Sequence, residues 1–192
     1  MKTLMVVAHP DNEIICGWPV LQDPEHEVSI LCCSSDRYNE ARKKWARRAE
    51  GQAALCSHFG IKSICLDNPS GFYKTNSRDG SLSNVIQGIV RAVMQFDFDQ
   101  IYKHNFWGEY GHLDHQLVHN VIACNFHNVI TSDMFIESNW TPYKNIRGRF
   151  ASDANPVEND LEHYAKCKSF YDDIHCWTWN KEAVRSCSVH SL

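Results

Sequence analysis

Hydrophobic and polar positions along the chain form a series of short apolar runs separated by longer stretches with helical spacing. Thr3–Ala8 (TLMVVA) is a continuous apolar run, the pattern of a strand buried on both faces of a parallel sheet. Glu27–Cys33 (EVSILCC), Ser63–Leu66 and Gln100–His104 repeat that pattern, and Asp133–Ser138 is strand-like again. Between them Ile14–Leu21 is weakly helical. Asp36–Phe59 predicts a long helix with charges on one side and Ala, Trp and Leu on the other, closed by Gly60 where a C-cap favours glycine. Ser81–Gln95 has helical periodicity through Val85, Ile86, Ile89, Val90 and Val93; Leu113–Asn128 and Val157–Asp173 also read as helices. Asn68–Asp79, dense in Pro, Ser, Gly and Asn, reads as a loop. Strands alternating with helices imply an α/β fold, a mostly parallel sheet covered on both faces. Function in such folds gathers beyond the carboxyl ends of the strands.

Composition narrows the picture. The 192 residues are the length of one domain, and 43% apolar with 22% charged residues exclude a disordered or low-complexity chain. A net charge of −4 offers no footprint for nucleic acid. No apolar run approaches the ~18 residues of a membrane span, and charge and proline follow the first apolar run of MKTLMVVAHPDNE too soon for a signal peptide. The nine cysteines are odd in number, scattered and free of C-x-x-C, so they read as reduced apolar filler in a cytoplasmic protein.

Two segments fall where the architecture places function. The first strand ends in His9-Pro10-Asp11-Asn12-Glu13, and the fourth leads through FWGEYG into His112-Leu113-Asp114-His115. Imidazole nitrogens with a carboxylate or amide oxygen suit a zinc ion that keeps one position open. Read singly, HPDN is a turn with a helix cap and HLDH a polar helix start; read together at two strand ends, they are a site. Phe106, Trp107 and Tyr110 are candidates for an apolar wall of a small-molecule site, or equally for core packing. The cluster Arg42, Lys43, Lys44, Arg47 and Arg48 reads as a solvated helix face, and Cys176-Trp177-Thr178-Trp179 as a C-terminal packing anchor. No G-x-S-x-G, Walker loop or G-x-G-x-x-G is present, which leaves serine hydrolase, nucleotide hydrolase and dinucleotide-binding readings without support.

AHPDNE with GHLDH resembles the LmbE/PIG-L-like family of zinc-dependent N-acetylglucosaminyl deacetylases, whose motifs are A-H-P-D-D-E and H-x-D-H; Arg47-Arg48-Ala49-Glu50 before AALCSHFGI resembles the family's R-x-x-E helix. The likeness covers roughly the first 125 residues. It implies a single Rossmann-like three-layer α/β/α domain, with zinc held by His9, Asn12 and His115. It also implies Asp11 as general base, and His112, oriented by Asp114, as the donor to the oxyanion or leaving amine. Arg47, Trp107 and Tyr110 would bind substrate, a small-molecule amino-sugar conjugate. Asp114 is expected to keep His112 protonated more readily. Asp11 and His112 are expected at a solvent-reaching rim where substitution costs little stability. Position 12 departs from the pattern: Asn stands where the family places its ligating Asp, so zinc would keep its full charge and bind less tightly. The alternative reading is a metal-poor pseudo-enzyme that binds a sugar-containing ligand or partner protein without turnover. The short chain after residue 150 implies a groove that is open or completed by a second copy in a homo-oligomer.

Overall fold

The computed structural model describes residues 1–35, 46–75, 81–132, 160–177 and 189–191. Among the described residues six strands form one sheet: β1 (Lys2–Val7), β2 (Glu27–Cys32), β3 (Ser63–Cys65), β4 (Gln100–Lys103), β5 (Val129–Ser132) and β6 (Val189–Ser191). Their order is β3-β2-β1-β4-β5-β6. The first five run parallel, in registers such as Val7↔Cys32 and Val6↔Lys103, and β6 is antiparallel to β5. The order reverses direction beside β1, so the carboxyl ends of β1 and β4 flank the crevice where such sheets bind ligands.

Alternation along β1 divides the interior in two. Met5 and Val7 pack on one face with α1 (Asn12–Ile15), α2 (Trp18–Leu21), α3 (Arg48–Phe59) and α7 (Leu161–Asp172), through Ile14, Trp18, Leu55, Cys167 and Tyr171. Leu4, Val6 and Ala8 face the other way, against α4 (Ser81–Val93) and α6 (Leu113–Asn125), through Val85, Ile89, Val93, Val118 and Ile122. Both faces are covered, which is why β1 reads as an unbroken apolar run. Truncating a fully buried residue such as Leu4 or Leu55 to alanine would cost about 2–5 kcal/mol.

The expected α/β architecture stands, with local corrections. The weak helix of Ile14–Leu21 is two short helices separated at Gly17. β5 occupies Val129–Ser132, a stretch left between a helix and the strand expected at Asp133–Ser138; the latter lies outside the described residues. So do the start of the helix expected from Asp36, with Arg42, Lys43 and Lys44, and the Thr178-Trp179 end of the packing anchor. Cys176 and Trp177 are buried in the core as expected. Gly60 closes α3 at φ 67°. The face α3 buries is not its alanines: Arg48, Gly51, Gln52, Leu55 and Cys56 point inward, while Ala53 and Ala54 are exposed. Among the described cysteines all are free thiols, and six of eight are buried. No helix among the described residues is long and apolar enough to cross a membrane.

Candidate active site

The chain leaves β1 and turns at Asp11 into α1. Asp11 has φ 87°, a left-handed conformation that costs a non-glycine residue about 1–3 kcal/mol unless its surroundings hold it. Its carbonyl accepts the N–H groups of Ile14 and Ile15, but its side chain makes no cap bond. The carboxylate instead accepts from Arg48 Nη1 at 2.9 Å and from Asn12 Nδ2 at 3.2 Å. Asn12 turns its Oδ1 back to the N–H of His9 at 3.0 Å. Glu13 is fully buried and accepts from Gln52 Nε2 at 2.8 Å, from the Asp11 N–H at 3.1 Å and from the Tyr171 hydroxyl. Burial pushes its carboxyl up to about 7, against the pull of the Tyr171 hydrogen bond.

Beyond β4 the chain doubles back through a tight segment, His104 to His115, which includes α5 (Gly108–Gly111). Gly108 (φ 66°), Glu109 (φ 56°) and Gly111 (φ 85°) are all left-handed. A Cβ on Gly108 would stand 3.1 Å from that of His115, so the backbone approach there suits glycine. The turn delivers the buried Glu109 carboxylate to His115 Nδ1 at 2.7 Å and to His104 Nδ1 at 2.9 Å. Burial alone would raise the Glu109 pKa, but the two imidazoles outweigh it and hold the carboxyl well below the usual carboxylate range. His104 Nε2 accepts the N–H of Ala8 at 2.9 Å, which ties this segment to the end of β1.

Three histidines, His9, His112 and His115, bring ligand atoms within 4.8 Å of one another. Ring centroids are 4.9 Å apart for His9 and His112, 4.7 Å for His112 and His115. What each imidazole holds at Nδ1 decides what its Nε2 can do. The Ser34 hydroxyl donates to the Ala8 carbonyl at 2.9 Å, so it accepts from His9 Nδ1 at 2.9 Å and leaves His9 Nε2 a lone pair. Glu109 does the same for His115, whose buried Nε2 has no hydrogen-bond partner among the described residues. His112 is the opposite case. Its Nδ1 accepts the N–H of Asp114 at 3.2 Å as the cap of α6, so the neutral ring carries its proton on Nε2. His9 Nε2 also faces Asp114 Oδ2 at 3.2 Å, two acceptors that call for a proton or cation between them. A metal ion fits this donor set: two imidazole lone pairs, one of them buried without a hydrogen bond, beside a carboxylate.

The sequence-derived residues His9, Asp11, Asn12, His112, Asp114, His115 and Tyr110 therefore meet at the carboxyl edge of the sheet. The Tyr110 ring stands edge-on to His115 at 5.2 Å and to His112 at 5.6 Å. Trp107 lies a step out, half-buried and against Phe106 at 5.0 Å. Arg47 is not brought in: on the surface it pairs with Glu50 and donates to the Ile174 carbonyl. Its neighbour Arg48 takes the inward place. Asp11 is 1% exposed, not at a solvent-reaching rim. Asp114 favours the protonated form of His112, as expected, while its carboxylate also accepts the N–H groups of Gly71 and Tyr73, at 2.7 and 2.9 Å, but burial of the ring outweighs it. Burial, with His9 second, pushes the His112 imidazole down to about 4. Sequence reasoning missed Ser34, Arg48, Gln52, His104, Glu109 and Tyr171. Glu109 alone carried a local signal, an acidic residue between glycines just before HLDH.

No curated protein matches the chain in sequence. Among solved structures, it is similar to a deacetylase triple mutant (Orf2*T) involved in the teicoplanin biosynthetic pathway, with TM-score 0.58, 15% identity and coverage of 89% of this chain and 81% of that one. It is also similar to the A40926 pseudoaglycone deacetylase Dbv21, with TM-score 0.56, 10% identity and coverage of 88% and 80%. At these identities the likeness speaks for the fold. Residues 4–124, which hold both the HPDN loop and the HLDH helix start, match the family described as GlcNAc-PI de-N-acetylase. Over more than half of its length, then, the chain is a member of the GlcNAc-PI de-N-acetylase (PIG-L) family, and that membership supports a deacetylase function.

Proposed function

We propose that the protein is a zinc-dependent hydrolase that removes an N-acetyl group from an amino sugar or sugar conjugate. The observation that carries the reading is the division of the three clustered histidines: His9 and His115 aim lone pairs inward, and His112 aims an N–H. His9 and His115 would hold the metal, with the Asn12 amide oxygen as a neutral third donor in the place of the family's Asp. When bound, zinc supplies a more acidic water and Lewis-acid polarisation of the amide carbonyl.

The remaining work falls to the chain. Amide hydrolysis needs a base for the attacking water and a donor for the oxyanion and the departing amine. Asp11 is the base, its carboxylate oriented by Arg48 and Asn12. His112 is the donor through Nε2, fixed by the backbone N–H of Asp114 at its other nitrogen. Asp114 anchors the loop at Gly71 and Tyr73 beneath His9. Tyr110 and Trp107 provide the apolar wall for the sugar ring.

A second reading has its own observation. Both oxygens of Asp11 already accept hydrogen bonds, and residue 12 is an amide, which favours ligand binding without turnover. Amine release from a panel of N-acetylated sugars, with and without chelator, separates the two. Chelator-sensitive release supports the deacetylase; saturable sugar binding without release supports the pseudo-enzyme.

A further inference from the structure

Tyr171 lies on α7, outside residues 4–124 that match the family, yet its hydroxyl reaches the HPDN loop. It accepts the Asp11 N–H at 3.0 Å and donates to Glu13 Oε1. We propose that Tyr171 is a positioning residue for the reaction above: its hydroxyl holds Asp11 in the left-handed conformation that turns the carboxylate away from the α1 cap and toward Arg48. The inference rests on the deacetylase reading for its catalytic consequence, but not for its structural one.

The hydrogen bonds close a ring. The Asp11 N–H meets both the Tyr171 oxygen and Glu13 Oε2, and the Tyr171 hydroxyl ties back to the other Glu13 oxygen. A left-handed backbone at φ 87° is uncommon for any residue with a Cβ, aspartate included, and persists where its surroundings hold it. The place for the phenol is built into α3. A Cβ at Gly51 would sit 2.7 Å from Tyr171 Cδ1 and 3.0 Å from Cε1, so only glycine lets the ring lie there. Gly51 stands between Arg48 and Gln52 on the buried face of α3, the two residues that hold Asp11 and Glu13. One helix thus clears room for the tyrosine and supplies the other supports of the same loop. On its far side the ring packs against Trp177, with centroids 5.8 Å apart.

Tyr171→Phe keeps the ring and its packing and removes only the hydroxyl. Two quantities are read: hydrogen exchange at the Asp11 amide by NMR, and steady-state amine release. Exchange at Asp11 should quicken by about tenfold or more while the β1 amides stay protected. The kcat should fall by about tenfold or more, with KM and zinc affinity changed by less than about twofold. Gly51→Ala should displace the ring and give the same pattern, and adding Tyr171→Phe to it should cost little more. An Asp11 amide as protected in Tyr171→Phe as in the unmodified chain overturns the proposal, with or without measurable turnover. Equal losses in KM, zinc affinity and β1 protection also overturn it, since they mark general loosening. If the unmodified protein releases no amine, the deacetylase reading fails, and exchange at Asp11 still decides the role of Tyr171.

Discussion

The HPDN loop is held by side chains from three other parts of the chain: Ser34 after β2, Arg48 and Gln52 on α3, and Tyr171 on α7. Residues 104–115 are held largely from within, where Glu109 joins His104 to His115 and the Asn105 side chain accepts the N–H groups of Trp107 and Glu109. Both segments contain a non-glycine residue at positive φ, Asp11 in one and Glu109 in the other. The first is supported by long-range contacts, the second mainly by glycines and short-range hydrogen bonds, with His104 and Asp114 tying it to Ala8, Gly71 and Tyr73. The loop should therefore fail when distant elements are changed, and the other segment chiefly when its own residues are.

The largest effect is expected where the remote support is an ion pair. Arg48 and Asp11 are both buried, and removing one partner leaves the other charge uncompensated. Asp11→Ala should lower unfolding free energy by about 3–5 kcal/mol, and Arg48→Met in the same chain should recover most of it. Urea unfolding of the two variants measures this. A cost below about 1 kcal/mol for Asp11→Ala would mean that the pair does not hold the loop.

Glu109→Gln tests the self-contained segment. It keeps the size of the side chain but removes the charge that orients His115, so zinc affinity should drop about 10–100-fold. Melting should shift less than in Asp11→Ala. Competitive zinc titration beside a thermal melt reads both, and a melt shift larger than that of Asp11→Ala would reverse the contrast between the segments.

The same contrast explains what could be read in the sequence. Apolar runs gave the strands because a doubly covered parallel sheet needs them, and HPDN and HLDH stood out as polar clusters at strand ends. Glu109, between glycines just before HLDH, was near enough to be suspected; His104 was not, since a histidine closing an apolar strand looks like any other. Arg48, Gln52 and Tyr171 were not legible, because each sits in an ordinary helix and acts over 37 to 160 positions. The long helix misled in part: Leu55 is buried as its apolar side suggested, but Ala53 and Ala54 are exposed, and the site demanded an arginine, a glycine and a glutamine on the inner face. The expected influence of Asp114 on His112 holds in direction, but burial of the ring, which no local motif shows, outweighs it.

Asn12→Asp sharpens the comparison at the loop itself. An anionic donor should tighten zinc by about tenfold, or 1.4 kcal/mol, while the lost Asn12-to-Asp11 hydrogen bond places two carboxylates side by side. The gain should therefore be smaller than the loss in Glu109→Gln. Equal affinity in the two proteins would show that residue 12 is not a ligand.

The smallest effect on the site is expected from a control at the foot of the second segment. Lys103 is buried, with Nζ 2.7 Å from His119 Nδ1, and burial pushes its amine down to about 8. Between that value and the ordinary lysine value of about 10.4, the unfolded chain binds a proton that the folded chain does not. Stability should therefore rise with pH across that window. Lys103→Met should remove the rise, as followed by urea midpoints from pH 7 to 10. A rise that survives in Lys103→Met would assign it to another group.

The division of the histidines is tested most directly by competitive zinc titration of the unmodified chain beside His9→Ala, His115→Ala and His112→Ala. The expected result is one zinc per chain, with affinity reduced about 100-fold or more in His9→Ala and His115→Ala but by less than about tenfold in His112→Ala. Zinc binding that survives the loss of His115, or that falls as far without His112 as without His9, would contradict it.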